Sequence, residues 1–90
     1  MEHRVKNLQD RVAIVTGSSS GVGAATAELL ASKGCRVLIN YNSNEAGAQK
    51  TAAACAAAGG ETIVVKGNVA EDADCLAMAE AALSQWGRID

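Results

Sequence analysis

The sequence predicts an α/β fold on a parallel, doubly wound sheet, of which it carries the portion β-α-β-α-β-α. Three observations predict this. Apolar runs rich in β-branched residues recur at Arg11–Thr16, Arg36–Tyr41 and Glu61–Lys66. Stretches with helical spacing follow each run. A glycine-rich turn, TGSSSGVG at residues 16–23, separates the first run from the first helix. A continuous apolar run marks a strand covered on both faces, and alternation with short connections implies parallel pairing through right-handed crossovers.

The elements follow in order. Residues 1–10 are a polar lead-in, and Arg11–Thr16 is the first buried strand. From Val22 a helix begins, with Val22, Ala25, Leu29 and Leu30 on one face and Glu28 and Lys33 opposite. Gly34 stands where a helix C-terminal glycine belongs. Arg36–Tyr41 is the second strand, buried on both faces. Asn42-Ser43-Asn44-Glu45 is a capping signal, a polar cap residue with a glutamate three places on. The alanine-rich helix after it runs to about Ala58 and ends at Gly59-Gly60. Glu61–Lys66 is the third strand. Glu71–Trp86 is the third helix, with Leu76, Ala79, Leu83 and Trp86 on one face. Glu71, Asp72 and Asp74 sit at the positive end of its dipole, and Gly87 closes it. No proline, repeat or internal linker interrupts the chain, so residues 1–90 read as part of a single domain.

Composition narrows the function. The 90 residues are 49% hydrophobic and 20% charged, with net charge −2. Slight acidity speaks against nucleic acid or an anionic membrane as partner. Tyr41 and Trp86 are the only aromatic residues, too few for a base-stacking platform. No run reaches the roughly 18 apolar residues of a membrane span. The charged N-terminus lacks the apolar core of a signal peptide, so a cytoplasmic protein is expected. Cys35, Cys55 and Cys75 are odd in number and widely spaced, which suggests thiols rather than a disulfide framework or a metal site. His3, the only histidine, lies in the N-terminal tail and is assigned no catalytic role.

The glycine turn carries the chemistry. In a βαβ unit, the turn between strand one and helix one is where doubly wound folds bind nucleotide phosphates. Unpaired N–H groups and partial positive charge gather at the helix N-terminus. Gly17 permits the sharp turn, Gly21 the close approach of pyrophosphate, and Gly23 tight packing of helix on strand. Ser18, Ser19 and Ser20 add hydroxyls for phosphate oxygens. The spacing is G-x-x-x-G-x-G; it is neither a Walker A loop nor G-x-G-x-x-G.

TGSSSGVG resembles the T-G-x-x-x-G-x-G motif of the short-chain dehydrogenase/reductase family. The resemblance runs from DRVAIVTG to GRID and takes in the start of strand two at Gly34 and the K-G-N-V segment after strand three. The INYNSNEAGA stretch is most similar to the 3-oxoacyl-acyl-carrier-protein reductases. The resemblance implies a Rossmann-like fold and an NAD(P)-dependent oxidoreductase that moves a hydride between nicotinamide and a carbonyl or alcohol carbon. It places Gly17, Gly21 and Gly23 at the phosphates, with Ser19, Ser20 and Val22 bordering phosphates and ribose. It places Asn68 and Val69 beside the adenine, Asn68 standing where many members carry an aspartate.

The end of strand two, Asn40-Tyr41-Asn42-Ser43, bears on the choice of cofactor. Tyr41 stands where NAD-specific members place an acid, so nothing there repels a 2′-phosphate, and Asn42 and Ser43 offer donors. Ser20 replaces an arginine common in NADP-binding members. NADP(H) is the expected cofactor, ahead of NAD. The family's Y-x-x-x-K pair, its substrate-orienting serine and its N-N-A-G segment are absent, since Tyr41 is followed four places on by Glu45. No catalytic or metal-ligating residue is assigned, and these 90 residues alone are expected to be inactive.

In the family's strand order 3-2-1-4-5-6, strand one lies mid-sheet. Here it is expected at an edge, with Asp90 about where strand four begins and the domain truncated before that strand. Leu76, Leu83 and Trp86 are expected to be poorly covered. The chain thus reads as the N-terminal part of a reductase. A carbonyl or alcohol substrate and homo-oligomer formation are expected only of the full-length form. A non-catalytic dinucleotide-binding module and a truncated remnant are the alternatives.

Overall fold

The computed structural model describes residues 9–90; most of the polar lead-in, His3 included, lies outside them. The elements are β1 (Val12–Val15), α1 (Gly21–Ser32), β2 (Arg36–Tyr41), α2 (Glu45–Ala57), β3 (Glu61–Lys66) and α3 (Asp72–Trp86). The strands form one parallel sheet in the order β1-β2-β3. Val12 pairs with Arg36 and Val15 with Ile39, while Arg36 pairs with Glu61 and Tyr41 with Lys66. The α/β class, the parallel sheet and the edge position of β1 are as the sequence predicts.

Side chains alternate across a strand, and β2 divides them between two cores. Val37 and Ile39 are fully buried against Ala27 and Ala31 of α1 and Ala48 and Cys55 of α2. Leu38 faces the other way, with Val12, Met78 and Ala82, beneath α3. Two helices therefore cover one face of the sheet and one covers the other. β2 is buried throughout its middle, as its unbroken apolar run requires, but Ala13, Ile14 and Val15 of β1 are only half-buried. An edge strand lacks one neighbour, and that is the physical reason.

Helix α1 turns a partly different face inward from the expected one. In α1 the buried residues are Ala27 and Ala31, whereas Val22 is 84% and Leu29 59% exposed. A close helix-to-sheet approach selects small side chains at the contact, and Leu30, of the expected face, packs half-buried beside them. In α3 Leu76 and Leu83 lie exposed, poorly covered as expected, while Met78 and Ala82 are buried and Trp86 packs beside them, better covered than expected. The cap of α2 also lies two residues later than expected. Asn44 is the cap, its Oδ1 accepting the Gly47 N–H at 3.0 Å, and Asn42 and Ser43 lie outside the helix.

The open edge of β1 is not bare. The Arg36 N–H donates to the Arg11 carbonyl at 2.7 Å, so alternate residues from Arg11 on turn their backbone toward β2. Val12 turns the other way. Its carbonyl accepts the Asp90 N–H at 2.8 Å, and its own N–H donates to Asp90 Oδ2 at 2.9 Å. After α3, which Gly87 ends in the left-handed region at φ 80°, the chain thus returns to the free side of β1.

Candidate dinucleotide site

All three strands run in one direction, so the loops that follow them gather at one end of the sheet. Residues 16–20 leave β1 as a turn. Gly17 and Gly21 hold φ of 63° and 60°, the left-handed region that a side chain makes costly. At both, the position of a missing Cβ meets nothing within 4 Å, so the turn presents bare backbone to open space. Gly23 differs. A Cβ there would stand 2.4 Å from the Gly17 carbonyl oxygen, so α1 seats its first turn directly on the backbone of the glycine turn.

Ser20 caps α1 in extended conformation, φ −165° and ψ 173°, and its side chain makes no capping hydrogen bond. The bond between the Ala24 N–H and the Ser20 carbonyl, 3.3 Å long, is the first of the helix. The N–H groups of Gly21, Val22 and Gly23 precede it and have no intrahelical acceptor, and the dipole adds partial positive charge. Open space, bare backbone and unfilled donors fit a pyrophosphate.

The serines divide. Ser20 is exposed and Ser19 half-buried. Ser18 is fully buried, its hydroxyl donating to the Val15 carbonyl at 2.7 Å and accepting the Asn40 N–H at 2.9 Å. Its expected role as a phosphate donor is corrected: the hydroxyl is turned inward, where it replaces the ladder partners that β1 no longer supplies.

At the end of β2, Asn40 is 2% exposed. Its side chain points to backbone rather than to the open end of the sheet. Oδ1 accepts the Gly17 N–H at 3.0 Å and Nδ2 donates to the Gly67 carbonyl at 3.1 Å. Tyr41 is half-buried, packed against the α1/α2 core, and Asn42 and Ser43 are exposed.

After β3, the Gly67 N–H donates to the Tyr41 carbonyl at 2.8 Å. The Asn68 N–H donates to Asp74 Oδ2 at 2.8 Å, and Asn68 Oδ1 accepts the Ala70 N–H at 2.9 Å. The amide oxygen expected to face an adenine thus already holds one donor, with a second lone pair remaining. Val69 is 54% exposed.

Sequence reasoning missed Gly47. A Cβ there would lie 2.3 Å from the Ser19 carbonyl oxygen, so α2 touches the glycine turn at its first helical turn. The signal was present as a lone glycine in an alanine-rich helix. A groove of about 280 Å³ opens at this contact, lined by Ser19, Ser20, Glu28, Gly47, Lys50 and Thr51 among others. Lys50 brings the nearest cation to the turn that the groove provides. Burial pushes the Cys55 thiol up, with the Glu28 charge adding to it. Among the described residues no group of three or more His, Cys, Asp or Glu is placed to hold a metal ion, and no helix is long and apolar enough to cross a membrane.

A bare-backbone turn at a helix N-terminus is shared by many nucleotide-binding folds; comparison with known proteins decides among them. The family model described as short chain dehydrogenase matches residues 11–90. The chain belongs to the short-chain dehydrogenase family. An uncharacterized oxidoreductase of Methylorubrum extorquens in that company is 43% identical over 86 residues, 96% of this chain and 35% of the relative. A short-chain dehydrogenase/reductase crystal structure from Burkholderia xenovorans superposes with TM-score 0.87 at 38% identity, covering 90% of this chain and 34% of the other. A Burkholderia phymatum member, solved in complex with NAD, superposes with TM-score 0.84 at 35% identity over 91% of this chain and 29% of its own. The chain therefore spans about a third of the length of the short-chain dehydrogenases it matches.

Proposed function

We propose that this chain is the N-terminal, cofactor-binding part of an NADP-dependent short-chain oxidoreductase that transfers a hydride between nicotinamide and a carbonyl or alcohol substrate. The observation that carries the reading is the turn at 17–23, where two left-handed glycines and an uncapped helix N-terminus leave donors facing open space. The backbone N–H groups of Gly21, Val22 and Gly23 hold the pyrophosphate, and Ser19 and Ser20 border it. Asn68 and Val69 flank the adenine. When bound, the dinucleotide supplies or accepts the hydride; the residues of this chain hold its adenosine end and its phosphates.

The preference for NADP rests on the end of β2. Tyr41 brings no negative charge to the ribose, Asn42 and Ser43 are exposed donors beside it, and Lys50 lines the adjoining groove. The Burkholderia phymatum relative was solved with NAD, so the choice turns on these residues and not on family membership. Titration of the purified chain with NADPH and with NADH, followed by nicotinamide fluorescence, tests it. The charge-assisted contacts of a 2′-phosphate favour NADPH by about tenfold or more. Tighter NADH binding overturns the NADP preference, and binding of neither overturns the cofactor reading.

For the whole protein we favour 3-oxoacyl-acyl-carrier-protein as substrate, on the likeness of the INYNSNEAGA stretch, with a homo-oligomer in the cytoplasm as its working form. A second reading, dinucleotide binding without turnover, concerns these 90 residues taken alone and is favoured by one observation. Tyr41 is the only tyrosine, it is half-buried, and Glu45 rather than a lysine stands four residues on. Dinucleotide binding with no reduction of any carbonyl substrate is what this second reading expects.

A further inference from the structure

The three loops of the site are joined by one buried side chain, that of Asn40. Every polar atom of this residue has a partner in a loop or at a strand end. Oδ1 takes the Gly17 N–H at 3.0 Å, and Nδ2 gives to the Gly67 carbonyl at 3.1 Å, with longer contacts of 3.4 Å to the carbonyls of Val65 and Tyr41. Its backbone N–H donates to Ser18 Oγ at 2.9 Å, and its backbone carbonyl accepts the Ser18 N–H at 3.0 Å. The amide orientation follows from chemistry. Gly17 offers only an N–H and Gly67 only a carbonyl, so oxygen must face the first and nitrogen the second. An aspartate carboxylate offers no donor for the second, and a buried polar group left unpaired is costly.

Gly17 opens the turn that holds the phosphates in the reading above, and Gly67 immediately precedes Asn68 at the adenine. From this geometry we infer that Asn40 is a positioning residue that sets the separation of these two loops, and through them dinucleotide affinity, without touching the ligand. This inference rests on the cofactor reading, and it also makes a claim about the unliganded chain that stands apart from it. The ladder between β1 and β2 ends at the Val15–Ile39 pair; beyond it one backbone bond, from the Ser18 N–H to the Asn40 carbonyl, and the side chains of Ser18 and Asn40 tie the first loop to β2.

The test combines amide NMR of the unliganded chain with NADPH titration, on wild type, Asn40→Leu, Asn40→Asp and the core control Cys55→Ala. In Asn40→Leu the Gly17 amide should lose its hydrogen-bonded chemical shift and exchange at least about tenfold faster, one lost buried hydrogen bond, while Val37 and Leu38 stay protected. NADPH affinity should fall by about tenfold or more. Asn40→Asp keeps an acceptor for Gly17 and loses the donor for Gly67. It should preserve the Gly17 shift and perturb Asn68 and Ala70, and it keeps the test open if Asn40→Leu does not fold. Cys55→Ala should lower the melting temperature with affinity unchanged. An unperturbed Gly17 in Asn40→Leu, or perturbed Asn68 and Ala70 amides in Asn40→Asp with wild-type affinity, overturns the inference. Wild type that binds neither dinucleotide removes the cofactor reading and the affinity half of the inference with it, and the amide shifts then decide the positioning half alone.

Discussion

Gly23 sets two general effects against each other. Within a helix, glycine is about 1 kcal/mol worse than alanine, so Gly23→Ala should stabilise α1 on propensity alone. The new methyl, however, would meet the Gly17 carbonyl oxygen at 2.4 Å and the Ser18 Cα at 3.0 Å, both backbone atoms that cannot swing aside. Overpacking of this kind costs typically about 1–3 kcal/mol, so the clash wins. We expect Gly23→Ala to lower stability in urea melts and to weaken dinucleotide binding by about tenfold or more, because the displaced atoms belong to the phosphate turn. A variant as stable as wild type that also binds equally well would count against the close seating of α1.

Legibility at this scale divides by the kind of signal. The glycines of the turn announced themselves by spacing, since bare backbone leaves a mark in composition. The Ser18–Asn40 pair did not. Ser18 read as a phosphate donor and Asn40 as a cofactor contact because both are polar and near the site. A polar side chain whose partners are backbone groups looks the same in sequence as one facing water. Gly47 lay between: visible as an anomaly, but its contact with Ser19 arises only when two helices pack.

At the scale of elements, strand positions were legible because strands covered on both faces need unbroken apolar runs. Helix faces were not, for a physical reason. Small residues, Ala27 and Ala31 of α1 and Ala48 and Cys55 of α2, make the buried contacts with the sheet, so the large apolar residues no longer mark the inner side by themselves. In α3 Leu76 and Leu83 lie on the open side, poorly covered as expected, and Met78 and Ala82 meet Val12 and Leu38 instead. Substitution tests this face. Met78→Ala should cost about 2–5 kcal/mol, as removal of a buried side chain does. Leu76→Gln and Leu83→Gln should stay within about 0.5 kcal/mol of wild type in this chain. Chemical denaturation of the three variants checks it, and a large loss at Leu83 would reverse the assigned face.

At the scale of the molecule, the layer arrangement leaves β1 with one strand neighbour, and Asp90 serves its free side. The carboxylate of Asp90 is held below its ordinary range, first by the hydrogen bonds from Arg88, at 2.7 and 2.6 Å, and then by the Val12 N–H. A lowered folded-state pKa contributes stability above the ordinary aspartate value of about 4, and that contribution is lost as pH falls through the folded value. Thermal melts from neutral to acidic pH should therefore fall more steeply for wild type than for Asp90→Asn, which has no such charge to lose. Parallel acid profiles for the two would show that the clasp contributes nothing.

The sheet order has a kinetic consequence. Each strand pairs with the one just before it in the chain, and every partner in the register lies about two dozen residues away. The entropy of closing such a loop grows only with the logarithm of its length, so the two closures are nearly equal in cost. Contact order is correspondingly low for a parallel sheet, which ordinarily demands distant pairings and folds slowly. The sheet can therefore grow outward strand by strand as the polypeptide leaves the ribosome, with β2 docking on β1 before β3 has been made.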